Sequence, residues 1–502
     1  MTGLRFGYGS NGFANHRLPD ALAVIADLGY AGVALTLDHA HLDPFAADLP
    51  RRLDAVRAGL AARGLAVVIE TGARYLLDPH RKHHPTLVSA DGRQARVDLL
   101  CRAVRIAADL GAECVSFWSG ALPPGVPADL GRQWLDSGVE EVLAEAERRG
   151  VPLGIEPEPG MLVQRLDDAL ALRARLGEPE LLKITLDVGH CVAVEPWPAA
   201  DCVRRAGPLL VNVQLDDMRP GVHEHLEFGD GELDLPATLC ALLEVGYQGL
   251  AAVELPRHSH AAPEVAGRAI VALRGGEWLA GATARIRVEP AAIRTLFPAA
   301  GRHCGRGPLR PTGQSSPTAQ LGATADDAAR VALLAALREV STPGQLAAEV
   351  SDLYRYGDSA ERRGVLRALP NLDGVLPVAA GLELVRDALR SNDTQLVAAA
   401  LGRYAAEHLD PHGWRHGVLK CLFVGVPLAA TAAAAITAAA TAPAVTTAAV
   451  TTPAVTTPAR VDAELGRMVT DFVAERRAAG RTVPPDAMSL LAHLTPDAGA
   501  AR

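Results

Sequence analysis

ADLGYAGVAL at Ala26–Leu35 and LEVGYQGLAAVEL at Leu243–Leu255 share one pattern: a helix end, then Gly-Tyr-x-Gly, then an apolar run. The first glycine stands where a helix stops and the chain turns back onto a sheet, a position that favours a left-handed residue without a Cβ. Gly64, Gly111 and Gly150 lead into apolar runs in the same way. Strands are predicted at Leu4–Tyr8, Gly32–Leu37, Leu65–Glu70, Glu113–Phe117, Pro152–Glu156, Leu182–Asp187, Leu209–Leu215 and Leu250–Leu255. Between them, segments such as Arg96–Leu110 and Gly131–Arg149 carry apolar residues at helical spacing. Eight such units in about 280 residues have the size and count of a (β/α)₈ barrel. An open doubly wound sheet fits less well, because no Gly-rich phosphate loop follows the first strand.

Beyond the barrel the character changes twice. Residues 281–322 include GRHCGRGPLRPTGQSSPT (Gly301–Thr318), whose composition reads as a Gly/Pro-rich linker. Residues 323–495 then read as a smaller all-α domain, with helices expected at Ala325–Val340, Pro343–Tyr356, Ala379–Ser391, Thr394–His408 and Arg460–Gly480. An Ala/Thr/Pro insert at about 429–459, including TAPAVTTAAVTTPAVTTP (Thr441–Pro458), interrupts it and lacks the side chains for a packed core. Leu428–Ala442 is apolar but built of Ala and Thr, and Pro443 closes it too early for a bilayer span.

The chain has 502 residues, a net charge of −9 and 49% hydrophobic residues, which suits two soluble domains with sizeable cores. The acidic balance argues against a nucleic-acid partner. Seven cysteines without C-x-x-C spacing, and no secretory signal after Met1, set the expectation of a reducing, cytoplasmic location.

In a barrel of this kind, reactive groups collect where strands end. Strand three ends at Glu70 (VVIET), strand five at Glu156 (GIEPEPG), strand six at Asp187 (LDVGH), strand seven at Gln214 and Asp216 (VNVQLDD), and strand eight at Glu254 (AVEL). Glu156, Asp187, Gln214 and Glu254 are each one βα unit apart and can converge on the axis. A single acid at a strand end is often a helix cap. Several carboxylates at one low-dielectric mouth repel unless a cation neutralises them. Oxygen-rich ligation suits Mn²⁺ or Mg²⁺ best, with Zn²⁺ or Co²⁺ as alternatives. Trp118, in SFWSG, has two readings, stacking on a sugar face or plugging the rim. The RKHH run at Arg81–His84 reads either as an anion contact or as a solvated loop.

Glu156, the Leu186–His190 motif, HEHLEFGDGELD at His223–Asp234 and Glu254 together resemble the xylose-isomerase-like barrels, over roughly Leu4 to Leu279. That superfamily includes sugar-phosphate isomerases and epimerases and the type IV apurinic endonucleases. The resemblance implies that Glu156, Asp187 and Glu254 are metal ligands, with His190 adjacent. It also implies that Glu156 and Glu254 are the acid and base flanking the substrate. Family members usually carry a strand-seven histidine as a further ligand; Gln214 stands there, so either Gln214 or His225 completes the site. Glu70, Trp118, His190, Asp216 and His223 are expected to face the substrate. The function so implied is proton abstraction from a sugar-like, optionally phosphorylated, hydroxy-carbonyl compound through a metal-stabilised enediolate. The alternative is a barrel that binds a metabolite without turnover. An endonuclease needs more histidines: Asp38, His39 and His41 follow strand two, but strands three and four end in Glu70 and Ser116–Ser119.

In the helical part, Leu384–Leu428 resembles an EboA-like domain through Arg390, Asn392–Thr394, Tyr404, His408–Leu409, Trp414–Arg415 and Val418–Cys421, with Phe472–Ala487 as its end. Such domains accompany proteins thought to handle a small metabolite, which makes this domain the expected surface for a protein partner. Asn392, Asp393, His408, Trp414, Arg415, His416 and Lys420 are either that surface or ordinary caps and junctions.

Overall fold

The computed structural model describes residues 3–307, 321–432 and 463–494. The chain divides into two compact units, Met1–Ala280 and Gly281–Arg502.

The first unit is a closed parallel barrel of eight strands surrounded by helices. Its strands are β1 (Arg5–Gly9), β2 (Gly32–Thr36), β3 (Ala66–Glu70), β4 (Val115–Trp118), β5 (Leu153–Glu156), β6 (Leu182–Asp187), β7 (Leu210–Leu215) and, closing the ring, β10 (Leu250–Val253). Both faces of each strand are covered, which is why they read as apolar runs without alternation. Between β7 and β10 lies an antiparallel hairpin of β8 (Asp217–Arg219) and β9 (Val222–Leu226).

The repeated Gly-Tyr-x-Gly has a physical basis at both of its occurrences. Gly29 and Gly246 have φ of 81° and 67°, ending their helices in the left-handed region. The Tyr30 and Tyr247 hydroxyls each donate to a backbone carbonyl at 2.8 Å. A Cβ at Gly32 would sit 2.7 Å from the Ala66 carbonyl oxygen and against Leu250, the largest side chain of a plug made with Ala34, Val68, Cys114 and Ala252.

Strand register brings the polar ends to one rim. Thr36 stands opposite Glu70, Glu70 opposite Ser116, Trp118 opposite Glu156, and Asp187 opposite Gln214.

In the second unit the helices are Ala325–Val340, Pro343–Tyr356, Ser359–Leu372, Val378–Arg390, Pro411–Val424, Ala463–Ala478 and Pro485–Leu494, with shorter turns between. Two sequence expectations change. The stretch read as a linker from residue 281 is helical through Ala262–Val288 and Ile293–His303, because Ile293, Phe297 and Ala300 bury one face despite the Gly and Arg around them. The rest of that linker, at residues 308–320, and the Ala/Thr/Pro stretch at 433–462 lie outside the described residues. The single helix expected at Thr394–His408 is two, Thr394–Ala400 and Arg403–His408, broken where Leu401 and Gly402 leave helical geometry. Among the described residues no helix is long and apolar enough to cross a membrane. Among the described residues no disulfide joins any of the seven cysteines.

A buried ionic network holds this unit. Asp327 accepts from Arg363 Nε at 2.9 Å and lies 3.0 Å from Arg367 Nε, while Arg330 meets Asp326 at 2.5 Å. Removing one partner of a buried pair leaves the other charge uncompensated. Asp327→Ala is therefore expected to cost about 3–5 kcal/mol, read as a lowered midpoint in urea unfolding of the full chain. Several members of the polar set read from sequence are structural. Asp393 caps its helix through Gln395 N at 2.9 Å, Asn392 accepts from Lys420 at 2.7 Å, His408 lies 3.1 Å from Asp373, and Trp414 is buried.

Candidate metal centre at the barrel mouth

A cavity of about 440 Å³ opens at the rim where the strands end. Glu70, Glu156, His190, Gln214, His223, His225 and Glu254 line it, so the strand-end rule gathers most of the expected site residues in one place. Asp187 and Asp216 are fully buried beneath them.

Each of the deeper groups is held by its own strand end. Asp187 is the N-cap of the short helix Val188–Val194; its Oδ1 accepts the His190 amide at 2.9 Å. That turn brings the His190 ring back over the mouth. Its Nδ1 lies 3.1 Å from the Pro157 carbonyl oxygen and 3.6 Å from Glu156 Oε1, and its Nε2 lies 3.8 Å from Asp187 Oδ2. Glu70 Oε1 accepts from Asn212 at 2.9 Å, and Glu254 Oε1 accepts from Asn11 at 3.0 Å.

The hairpin, which the sequence leaves as a loop, carries His223 and His225 over the cavity. Asp217 pins it: its carboxylate accepts the amides of Gly229, Gly231 and Leu233 at 2.8–3.0 Å, organising the GDGELD segment. Asp216, one residue earlier, points the other way and receives His225 Nδ1. Gly189 makes room for it, since a Cβ there would fall 1.9 Å from Asp216 Oδ1.

At the barrel mouth, among the described residues, three sets of side chains bring one ligand atom each within 4.8 Å of one another: Glu156, Asp187 and His190; Asp187, Asp216 and His225; and His190, His223 and His225. His190, Asp216 and His223, expected from the sequence to face the substrate, are members of these sets. Glu254 shares the cavity but belongs to none of these sets.

Burial and mutual repulsion shift the carboxyls of the mouth. Burial and Glu254 push Glu70 up to about 8, and the same two causes push Glu158 up to about 8. Burial and Glu158 raise Glu156 well above the ordinary carboxylate range. Burial would also raise Asp187, but His190, His225 and the His190 amide outweigh it and hold this carboxyl below its usual range. Burial opposes a charge on His225, yet Asp216 lifts it to about 10. Gln214 Oε1 is buried with no hydrogen-bond partner among the described residues, and the buried Asp187 Oδ2 and Asp216 Oδ1 have none beyond the contact of the two carboxyls with each other. Orphaned oxygens of this kind are costly in a low dielectric. A divalent ion would satisfy them and would lower the raised carboxyls, so the donor set fits one.

Trp118 is buried in the cavity wall, with the Arg96 guanidinium 4.6 Å over its ring and His83 against its edge. The RKHH run divides: Arg81 pairs with Asp78 at the surface, while Lys82 and His83 line the cavity. His41 turns to the His16 carbonyl at 3.2 Å and His39 is exposed beside Asp43, so neither joins the sets above. Asn11, Asn212 and Glu158 escape the sequence reading. Asn11 follows the end of β1 and Asn212 lies two residues before Gln214, so the strand-end rule and strand alternation both point to them.

A family model described as a xylose isomerase-like TIM barrel matches residues 22–275. An L-ribulose-5-phosphate 3-epimerase, UlaE, of Shigella flexneri is 25% identical over 241 residues, which is 47% of this chain and 81% of the relative. An uncharacterized protein of Methanocaldococcus jannaschii is 25% identical over 207 residues, 39% of this chain and 70% of that protein. Among solved structures, an L-ribulose 3-epimerase aligns with a TM-score of 0.47 at 20% identity, covering 56% of this chain and 97% of that one. A D-allulose 3-epimerase from Methylomonas sp. in complex with D-allulose aligns with a TM-score of 0.44 at 19% identity, covering 54% and 96%.

Proposed function

The chain belongs to the xylose isomerase-like TIM-barrel family, and from that premise we propose that its barrel mouth is a divalent-metal-dependent isomerase or epimerase site for a sugar-like hydroxy-carbonyl substrate. The observation that carries this reading is Gln214 Oε1, buried with no hydrogen-bond partner among the described residues, in a cavity faced by Glu156 and Glu254, with the Asp187 carboxylate buried beside it. The curated sugar-phosphate epimerase relative supports the same class of reaction.

Asp187 is the firmest ligand in this reading, with Glu156, Glu254 and either Gln214 or His225 around it. The oxygen-rich set favours Mn²⁺ or Mg²⁺, and the nearby imidazoles keep Zn²⁺ and Co²⁺ open. When bound, the ion supplies Lewis-acid polarisation of the hydroxy-carbonyl pair and stabilises charge as a proton leaves carbon. Glu254, steadied by Asn11, takes the proton from one face; Glu156 returns one from its side of the cavity. Trp118, held by Arg96, walls the cavity and keeps water from the reacting carbons.

Gln214 favours a second reading, in which the barrel handles a metabolite without turning it over. An amide is a weaker ligand than imidazole and cannot act as a base. The EboA-like resemblance of the helical unit suits such a role. Incubating Mn²⁺-loaded protein with a panel of pentuloses, hexuloses and their phosphates, followed by ¹³C NMR, separates the two. A new epimer or aldose in any arm supports the enzyme; tight binding with no product across the panel supports the handling protein.

A further inference from the structure

The cavity at the barrel mouth has one wall of positive charge. It is built by the loop between β3 and the helix Arg93–Leu110, which lines the cavity with Arg74, Lys82 and His83. This loop is fastened at several points. The buried Arg96 guanidinium donates to the Thr71, His83 and Pro85 carbonyls at 3.4, 3.1 and 2.9 Å. The His83 amide donates to the Arg74 carbonyl at 2.5 Å, which sets Arg74 beside Lys82 and His83. His83 itself has a φ of 60°, a left-handed conformation that a residue with a side chain keeps only when its surroundings impose it.

The other charged groups on this rim are engaged. Arg81 pairs with Asp78 at 2.7 Å, and Arg257 with Glu224 at 3.2 Å. The Asp38 carboxylate accepts the Ala40 and His41 amides at 2.9 and 2.7 Å. Among the described residues, neither Arg74 nor Lys82 has a hydrogen bond or ion pair from its side chain. Burial, and then the charges of Lys82, Arg96 and Arg74, push His83 down to about 4, so positive charge gathers around an imidazole that stays neutral. Like charges held together without a counter-ion repel, and an anion between them relieves the repulsion.

We propose that Arg74 and Lys82 form an anion subsite, one that selects a substrate carrying a phosphate ester. A guanidinium fork and an ammonium group supply charge-assisted hydrogen bonds to several oxygens of one tetrahedral group. With the mouth read as an isomerase or epimerase site, on which this selection rests, the ester end of the sugar lies against the β3 loop and the reacting carbons lie among the acids.

The test has a binding arm and an exchange arm, both on the full chain. Binding of inorganic phosphate is followed by calorimetry on chelator-treated protein, so that no metal holds the ion. Wild type is expected to bind it, and Arg74→Gln and Lys82→Gln are each expected to weaken binding by about tenfold or more, the effect of losing one charge-assisted hydrogen bond. Arg81→Gln, which alters a cation paired at the surface, is expected to bind as wild type does, which separates the subsite from net charge. Deuterium exchange by Mn²⁺-loaded protein then compares free ketoses with their phosphate esters. The ester is expected to show the higher kcat/KM, and Lys82→Gln to lose that advantage. Absence of phosphate binding in wild type, or binding unchanged in Arg74→Gln and Lys82→Gln, overturns the subsite. A free ketose that exchanges as well as its ester overturns the selection. Binding that follows the variants, with no exchange of any ketose or ester, upholds the subsite and overturns the isomerase or epimerase reading instead.

Discussion

Glu254→Gln is expected to lower turnover by about 10²–10⁴-fold while the barrel stays folded, the usual effect of losing a positioned general base. The substitution is nearly isosteric, and Gln can still accept the Asn11 hydrogen bond that now holds Glu254 Oε1 at 3.0 Å. What disappears is the capacity to take a proton from carbon, together with the charge this residue offers the ion, which saturating Mn²⁺ offsets. Substrate contacts elsewhere in the cavity are untouched, so the loss falls on kcat, with KM nearly unchanged. Exchange of solvent deuterium into the substrate, followed by NMR at saturating Mn²⁺, reports the step directly. A variant that exchanges at the wild-type rate removes Glu254 from the reaction.

Asp187→Asn is expected to weaken metal binding by about 100-fold or more, since a charged ligand at the centre of the site counts for at least as much as the outer partners whose loss costs 10–100-fold. The amide keeps the shape of the side chain, and its oxygen can still cap the helix through the His190 amide. Folding is therefore spared and the change reports on the ion. At 100-fold excess over Kd a bound ion adds about 2.7 kcal/mol of stability. The rise in Tm on adding Mn²⁺ should accordingly be present in wild type and absent in Asp187→Asn. Asp187 is chosen over its neighbours because His190 and His225 hold it below the ordinary carboxyl range, whereas burial pushes Glu156 and Glu70 up.

The barrel was legible in the sequence because its signal is local and repeated. Gly29 and Gly246 end helices by backbone conformation, and Gly32 answers a steric demand of Leu250 that recurs with the fold. Glu156, Asp187, Gln214 and Glu254 were legible because parallel register turns a position along the chain into a position on the rim. The hairpin was not: HEHL has few apolar residues, and the segment that follows it is organised by Asp217 accepting the amides of Gly229, Gly231 and Leu233. For the same reason the approach of His223 to His190 had no counterpart in spacing, since the two lie 33 residues apart on different elements. Glu158 lies two residues beyond the end of β5, where the strand-end rule no longer points. In the helical unit, Thr394–His408 kept a helical pattern across Leu401–Gly402, where the backbone turns away.

The central claim, that a divalent ion at this mouth drives proton transfer at carbon, is tested most directly by one add-back measurement. Carbon-bound deuterium from D₂O is followed in a responsive ketose with protein as loaded, after chelation, and after Mn²⁺ is restored. Incorporation with loaded protein, none after chelation and recovery on restoring the ion is the expected result. Incorporation that persists undiminished after chelation, or loaded protein that exchanges no ketose at all, would contradict it.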